Sequence, residues 1–246
     1  MNAIQILKSL GPIDARNVRR DPLLKWMAAV PLVVALAMRW VLPVIFRQLS
    51  AFLDVDLSPY TGPLVSYLLV TLTPSLVGLV IGFLLLDERD DRTLTALQVT
   101  PLTLNGYLAY RLLLPGLLSI AVTVVVFPLA GLHDLAFLEL CLVALSAAPL
   151  APLFALFLAA FAANKVQGFA LQKGMGIVLL PPMIAYFLPM PWQLAAGLVP
   201  TFWPAKVYWV LEAGEPAAWA YALAGLLVQS ALLALLVRRF NRVMTS

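Results

Sequence analysis

The chain has 246 residues, 63% of them hydrophobic and only 11% charged. Soluble domains carry about 25% charged and about 45–50% apolar residues. Too little polar surface is available here for a water-soluble body, which excludes a soluble enzyme or a nucleic-acid-binding domain, and the single cysteine, Cys141, excludes a disulfide scaffold. The apolar excess, with a mean hydropathy of +0.96, faces lipid, and the net charge of +4 reads as the inside-loop bias of a multispanning membrane protein.

From the N-terminus, Met1–Arg20 lacks the apolar core and small-residue cleavage site of a signal peptide. Ile4, Leu7 and Leu10 recur three apart, and Arg16, Arg19, Arg20 and Asp21 follow. Residues 1–22 are expected to lie along the cytoplasmic leaflet, their basic groups near anionic headgroups; a plain solvated flank carries the same charges. Stretches free of Asp, Glu, Lys, Arg and His come next: Leu57–Leu86, Leu112–Leu132, Leu140–Asn164, Gly174–Ala205 and Pro216–Val237. About 20 residues of helix cross the hydrocarbon. These runs are apolar on all sides, unlike the alternating strands of a barrel. Leu23–Phe46 adds a further span, interrupted by Lys25 and Arg39. The expected fold is an all-α integral membrane protein of one domain, 1–246, with six transmembrane helices near 23–46, 62–86, 107–132, 136–162, 169–188 and 217–237. Pro181, Pro182, Pro189, Pro191, Pro200 and Pro204 predict a kinked fifth span and a broken outer segment over 189–216, before the sixth.

An inside N-terminus leaves only Arg39, Arg47 and Lys206 of the 16 Lys and Arg residues outside, so both termini are expected to be cytoplasmic. Trp40, Trp192, Trp203, Trp209 and Trp219 would then line the outer interface and Trp26 the inner one. Between spans two and three, residues 87–106 begin with the charges Asp87 to Arg92 and continue with Leu94, Leu97, Leu102 and Leu104. This pattern predicts a short amphipathic helix stopped by Pro101, lying at the interface or docked in a partner's groove. Asn164–Lys173 reads as the second cytoplasmic turn.

Chemistry is sparse. No G-x-x-x-x-G-K-S/T loop cradles a nucleotide, no cluster has metal-ligand spacing, and one histidine, His133, cannot build a Ser-His-Asp set. No catalytic or metal-binding residue is expected. Within the spans, Arg39 either snorkels outward or faces a cavity. Thr71, Thr73 and Ser75 beside Pro74 either line a pathway or satisfy backbone groups at a kink.

Glu88-Arg89, Thr93-Leu94, Leu97 and Thr100-Pro101 resemble the E-R-x-x-G-T-L-x-x-L-x-x-S/T-P pattern of ABC-2-type transporter permeases, with Arg92 where a glycine is usual. Arg20-Asp21-Pro22-Leu23 is similar to the end of that family's amphipathic connecting helix. Asn164-Lys165-Val166-Gln167-Gly168 and Pro200-Thr201-Phe202-Trp203-Pro204-Ala205-Lys206 look like the fluoroquinolone-type drug export permeases. The resemblance implies that Glu88, Arg89, Thr93, Leu94, Leu97, Thr100 and Pro101 belong to a coupling helix, with Glu88 and Arg89 either pairing with the partner or holding the end of span two. Arg19, Arg20 and Asp21 would belong to the connecting segment. It also implies a bacterial cell-membrane exporter of an amphipathic or hydrophobic, drug-like molecule. That exporter would be a dimer with a second copy or paralogue and two ATPase subunits, which carry the ATP and magnesium; no cofactor is expected in this chain. The same architecture could pass lipid, glycolipid or haem. A membrane enzyme or assembly factor without a transport cycle is the rival from another class.

Overall fold

The computed structural model describes residues 3–90, 104–131 and 135–245. Among these residues every regular element is helical. Helix α1 (Ala3–Arg20) runs through Pro12 and carries Arg19 and Arg20 in its last turn. Asp21 ends it and caps α2 (Pro22–Leu53): its Oδ1 accepts the Leu23 and Leu24 amides at 2.8 and 3.2 Å. Pro22 occupies the first helical position, where a missing N–H leaves no bond unmade. Lys25 and Arg39 are exposed, so neither interrupts the helix, which continues past the expected 46 to Leu53.

Span two, Ser58–Asp90, combines a 3₁₀ turn, α3 (Thr61–Val65), a π-turn over Ser66–Thr71 and α4 (Leu72–Asp90). Pro74, just inside α4, has no N–H to give the carbonyl four residues back, and the widened turn lies immediately before it. Span three is α5 (Leu104–Ala130). Span four consists of α6 (Phe137–Ala147) and α7 (Leu150–Phe161), parted at Ala148–Pro149. Span five is α8 (Lys165–Met175), a 3₁₀ turn (Gly176–Leu179) and α9 (Leu180–Tyr186). A 3₁₀ turn (Trp192–Leu198) and α10 (Phe202–Glu212) precede span six, α11 (Ala218–Thr245). Among the described residues six stretches are thus long and apolar enough to cross a membrane, matching the six expected spans, with the broken segment between the last two.

Two expectations are corrected. Asn164–Lys173 is not a turn: the Asn164 side chain accepts the Gln167 amide at 3.0 Å and starts a helix at Lys165. The turn is confined to Ala162–Asn164. Nor does Trp209 lie at an interface. It is buried with Phe202 and Tyr208 of α10, while Trp203 packs over Gly225 and donates to the Gly197 carbonyl at 2.9 Å. Trp26, Trp40, Trp192 and Trp219 are exposed.

Spans two and four form the hub. Their apolar windows are 83% and 78% buried, against 17–28% for the other four, which wrap around them. The hub is close-packed because small residues face each other. A Cβ added to Gly78 would lie 2.2 Å from the Ala151 carbonyl oxygen, and one on Gly82 would lie 3.2 Å from the Cα of Ala155. Two apolar cores stack along the bundle. One holds Leu24, Phe83, Leu86, Leu158 and Phe240, with Leu10 and Val18 of α1 against it. The other holds Met38, Leu69, Phe127, Val143 and most of α10. Residues near both chain ends share the first core, so both termini lie at one end of the bundle, here the terminal end.

Candidate functional site

At the terminal end six charged residues, Asp14, Asp21, Asp87, Glu88, Arg111 and Lys165, form ion pairs. Tyr107, Tyr110 and Arg111 sit at i, i+3 and i+4 on one face of α5. Arg111 is 1% exposed, and its guanidinium grips Asp14 of α1 through Nη1 at 2.8 Å and Nη2 at 3.2 Å. Nη2 also donates to Glu88 Oε1 at the end of α4. Tyr110 donates to Asp14 at 2.7 Å and Tyr107 to Glu88 at 2.5 Å. The two rings flank the guanidinium, 5.3 and 5.4 Å from their centroids. One cation thus binds two carboxylates, the buried Asp14 of α1 and the partly buried Glu88 of α4.

A second cluster lies beside it. Lys165 Nζ donates to Asp21 at 2.7 Å and to Asp87 at 2.9 Å, joining the starts of spans one and five to the end of span two. The Lys165 ammonium, helped by two backbone amides, holds the Asp21 carboxyl below the usual carboxylate range. Arg89 donates to the carbonyls of Ala159 (3.3 Å) and Ala162. That places a cation on the C-terminal end of α7, where the helix dipole favours it.

Glu88 and Arg89 are therefore turned into the chain, holding the end of span two. Thr93, Leu94, Leu97, Thr100 and Pro101 lie outside the described residues. Of the connecting residues, Asp21 is the cap and ion partner just described, while Arg19 and Arg20 are exposed. Arg39 is near the opposite end of α5, where its Nη1 donates to the Leu129 carbonyl at 3.4 Å. The guanidinium lies against Gly131, whose φ of +63° is open to glycine without a steric cost. Thr71, Thr73 and Ser75 are buried. Their hydroxyls donate to the carbonyls of Tyr67 (2.8 Å), Leu68 (3.4 Å) and Thr71 (2.6 Å), their own helix around the π-turn.

Sequence reasoning counted Arg111 and Lys165 among the inside charges but missed their inward grip. The Tyr-x-x-Tyr-Arg spacing beside a lone Asp14 was the available signal. Farther along the bundle, Gln229 donates to the Pro200 carbonyl at 3.2 Å and Thr201 to the Val178 carbonyl at 2.7 Å. These bonds satisfy a carbonyl of the broken segment and one of the 3₁₀ turn in span five. No group of three His, Cys, Asp or Glu residues could hold a metal among the described residues. The terminal-end cluster contains fixed cations, carboxylates and phenols; its geometry ties elements together.

The family profile described as fluoroquinolones export permease protein Rv2686c-like matches residues 14–237. Two curated relatives are the fluoroquinolones export permease proteins MT2760 and Rv2686c of Mycobacterium tuberculosis, strains CDC 1551 / Oshkosh and ATCC 25618 / H37Rv. Each is 30% identical over 237 residues, 96% of this chain and 94% of its own length. No solved structure matches the chain.

Proposed function

The chain belongs to the Rv2686c-like fluoroquinolone export permease family, and from that premise we propose that it is the membrane subunit of an ATP-driven drug exporter. It sits in a bacterial cell membrane with both termini in the cytoplasm, as a dimer with a second copy or a paralogue. Two ATPase subunits bind and hydrolyse ATP with magnesium, and the cargo is an amphipathic or hydrophobic drug-like molecule. The observation that carries this reading is the family match from residue 14 to 237, which takes in Asp14, Arg111 and nearly all of the six spans.

Coupling would run through residues 87–106. The 91–103 stretch leaves span two directly after Glu88 and Arg89 and returns into span three just before Tyr107 and Arg111. A push on it reaches α4 and α5 at the points where the buried ions bind them to each other and to α1. In the predicted amphipathic helix Leu94 and Leu97 share a face. A leucine buried in an ATPase groove contributes about 1.5–3 kcal/mol to that interface rather than to the fold.

The test is Leu97→Asp, made in the permease expressed with its ATPase subunit. The variant is expected to insert and purify normally, to lose ATPase in a pull-down, and to stop fluoroquinolone accumulation in inverted vesicles. Normal ATPase binding together with full transport would sink the assignment. Wild-type vesicles that move a lipid probe but no fluoroquinolone would turn the cargo from drug to lipid.

A further inference from the structure

A cavity of about 350 Å³ opens on the side of the bundle between spans four, five and six. Phe154 and Phe157 of α7, Met175 and Val178 of span five, and Leu232 and Leu236 of α11 form its walls, and Pro200 closes one end. No polar surface is present on these walls. Drug-sized sites usually run from about 300 to 1,000 Å³ and carry a few placed polar groups that fix orientation. This cleft is at the small end of that range and has none. Gln229, which donates its amide nitrogen to the carbonyl of the lining residue Pro200 and keeps its buried Oε1 without a partner, is not itself part of the walls. Walls of this kind receive a hydrocarbon chain.

The mouth toward the terminal end is cationic. Arg239 lies three and four residues beyond Leu236 and Leu235 on α11, so it shares their face. Its guanidinium lies 4.0 Å from the centroid of Phe161. Phe161 in turn stacks at 4.7 Å on Phe157, a wall of the cleft. Arg238 and Arg239 are both exposed, and among the described residues no carboxylate pairs with either. A continuous path therefore runs from an exposed guanidinium through two phenyl rings into an apolar slot. Gln229, at the closed end, and Arg239, at the mouth, are ten residues apart, about 15 Å of helix at 1.5 Å per residue.

We infer that this cleft binds one acyl chain of an anionic phospholipid, whose phosphate is held by Arg239. Arginine suits the role, since its planar fork pairs with phosphate oxygens while its stem and the Phe161 face stay apolar. The occupant comes from the leaflet at the terminal end, which the open side of the cleft faces. It fills the space between span six and the hub without touching the terminal-end ion network.

The test uses the full purified chain and native mass spectrometry, with phosphatidylglycerol and phosphatidylcholine of identical acyl chains as probes. The wild type is expected to retain one phosphatidylglycerol per chain in preference to phosphatidylcholine. Arg239→Gln should lose about fivefold of that preference, the worth of one cation at an anionic surface. Leu235 is 59% exposed at the rim, so Leu235→Trp can block the mouth while leaving the size-exclusion profile unchanged; it should lose both lipids. Unchanged lipid retention in Leu235→Trp would overturn the site. Unchanged preference in Arg239→Gln would overturn the phosphate contact. Disulfide cross-linking between Leu235→Cys copies in native membranes would give the cleft to a second copy of this chain instead.

Discussion

Arg111→Met tests the terminal-end network through the sign of a second mutation. Arg111 is 1% and Asp14 6% exposed, and Glu88 is held by the same guanidinium through Nη2, which it shares with Asp14. Deleting the cation leaves two carboxylates facing a thioether. Breaking a buried pair from one side costs about 3–5 kcal/mol, on the order of a hundredfold or more in folded population at about 1.4 kcal/mol per tenfold. Asp14→Asn in the intact chain leaves Arg111 paired with Glu88. It should cost about 1–3 kcal/mol, the range for an impaired buried hydrogen-bond set. In the Arg111→Met background the same Asp14→Asn removes an uncompensated charge and should raise stability. The four proteins form a cycle, read by SDS titration of the purified chain in mixed micelles with tryptophan fluorescence. Equal losses from Asp14→Asn in both backgrounds would refute the network as a coupled unit.

Four further outcomes follow from the geometry. Gly78→Val drives a Cβ to 2.2 Å from the backbone oxygen of Ala151, so the hub should part and the monodisperse fraction in detergent should collapse. Gly174→Ala, with nothing within 4 Å, should be neutral or gain about 0.5–1 kcal/mol, and a monodisperse Gly78→Val would contradict the hub packing. Asp21 has a lowered carboxyl pKa, so its ionised form stabilises the fold above the ordinary carboxylate value of about 4, and that contribution is lost as pH falls through the lowered one. Asp21→Ala should flatten the acid limb of an unfolding titration, and an unaltered limb would count against the Lys165 pairing. Arg39→Leu removes a cation from the C-terminal end of α5, worth about 0.3–1 kcal/mol, and should leave transport intact; transport lost at unchanged stability would assign Arg39 to the pathway.

The spans were legible because absence of charge over about 20 residues is a one-dimensional signal, and five such runs, with a sixth interrupted only by Lys25 and Arg39, leave little freedom in the count. The broken segment was legible from its prolines for the same reason. The site was less so, because an inside-charge count registers Arg111 and Lys165 without saying which way they turn. Arg111 reaches Asp14 across 97 residues of sequence. Some missed features did carry local signals. Asn164 with Gln167 three residues later is a helix start. Gly78-x-x-x-Gly82 opposite Ala151-x-x-x-Ala155 is a close-approach pair. Trp209 carried no such signal: its burial follows from α10 folding back into the bundle, which prolines announce as a break but not as a direction.

The distribution of strong and weak ties says where the bundle resists motion. At the terminal end Arg111 and Lys165 join α1, α2, α4, α5 and α8, and Arg89 adds the end of α7. Separating the buried part of that set exposes carboxylates and a guanidinium that find no replacement partner in an apolar core, so these elements move more cheaply together than apart. At the far end the polar tie between spans one and three among the described residues is the long, exposed Arg39 contact, a cation at the end of α5 that contributes about 0.3–1 kcal/mol. Between the two, three spans lose regular helix along their length: span two at Ser66–Thr71, span four at Ala148–Pro149 and span five at Gly176–Leu179. Turns with widened, tightened or missing ladder bonds bend at lower cost than α-helix. A force applied at the terminal end is therefore carried through the charge network as a rigid load and relieved at those three breaks. This is the mechanical order that the coupling proposed above, through residues 87–106 at the terminal end, requires.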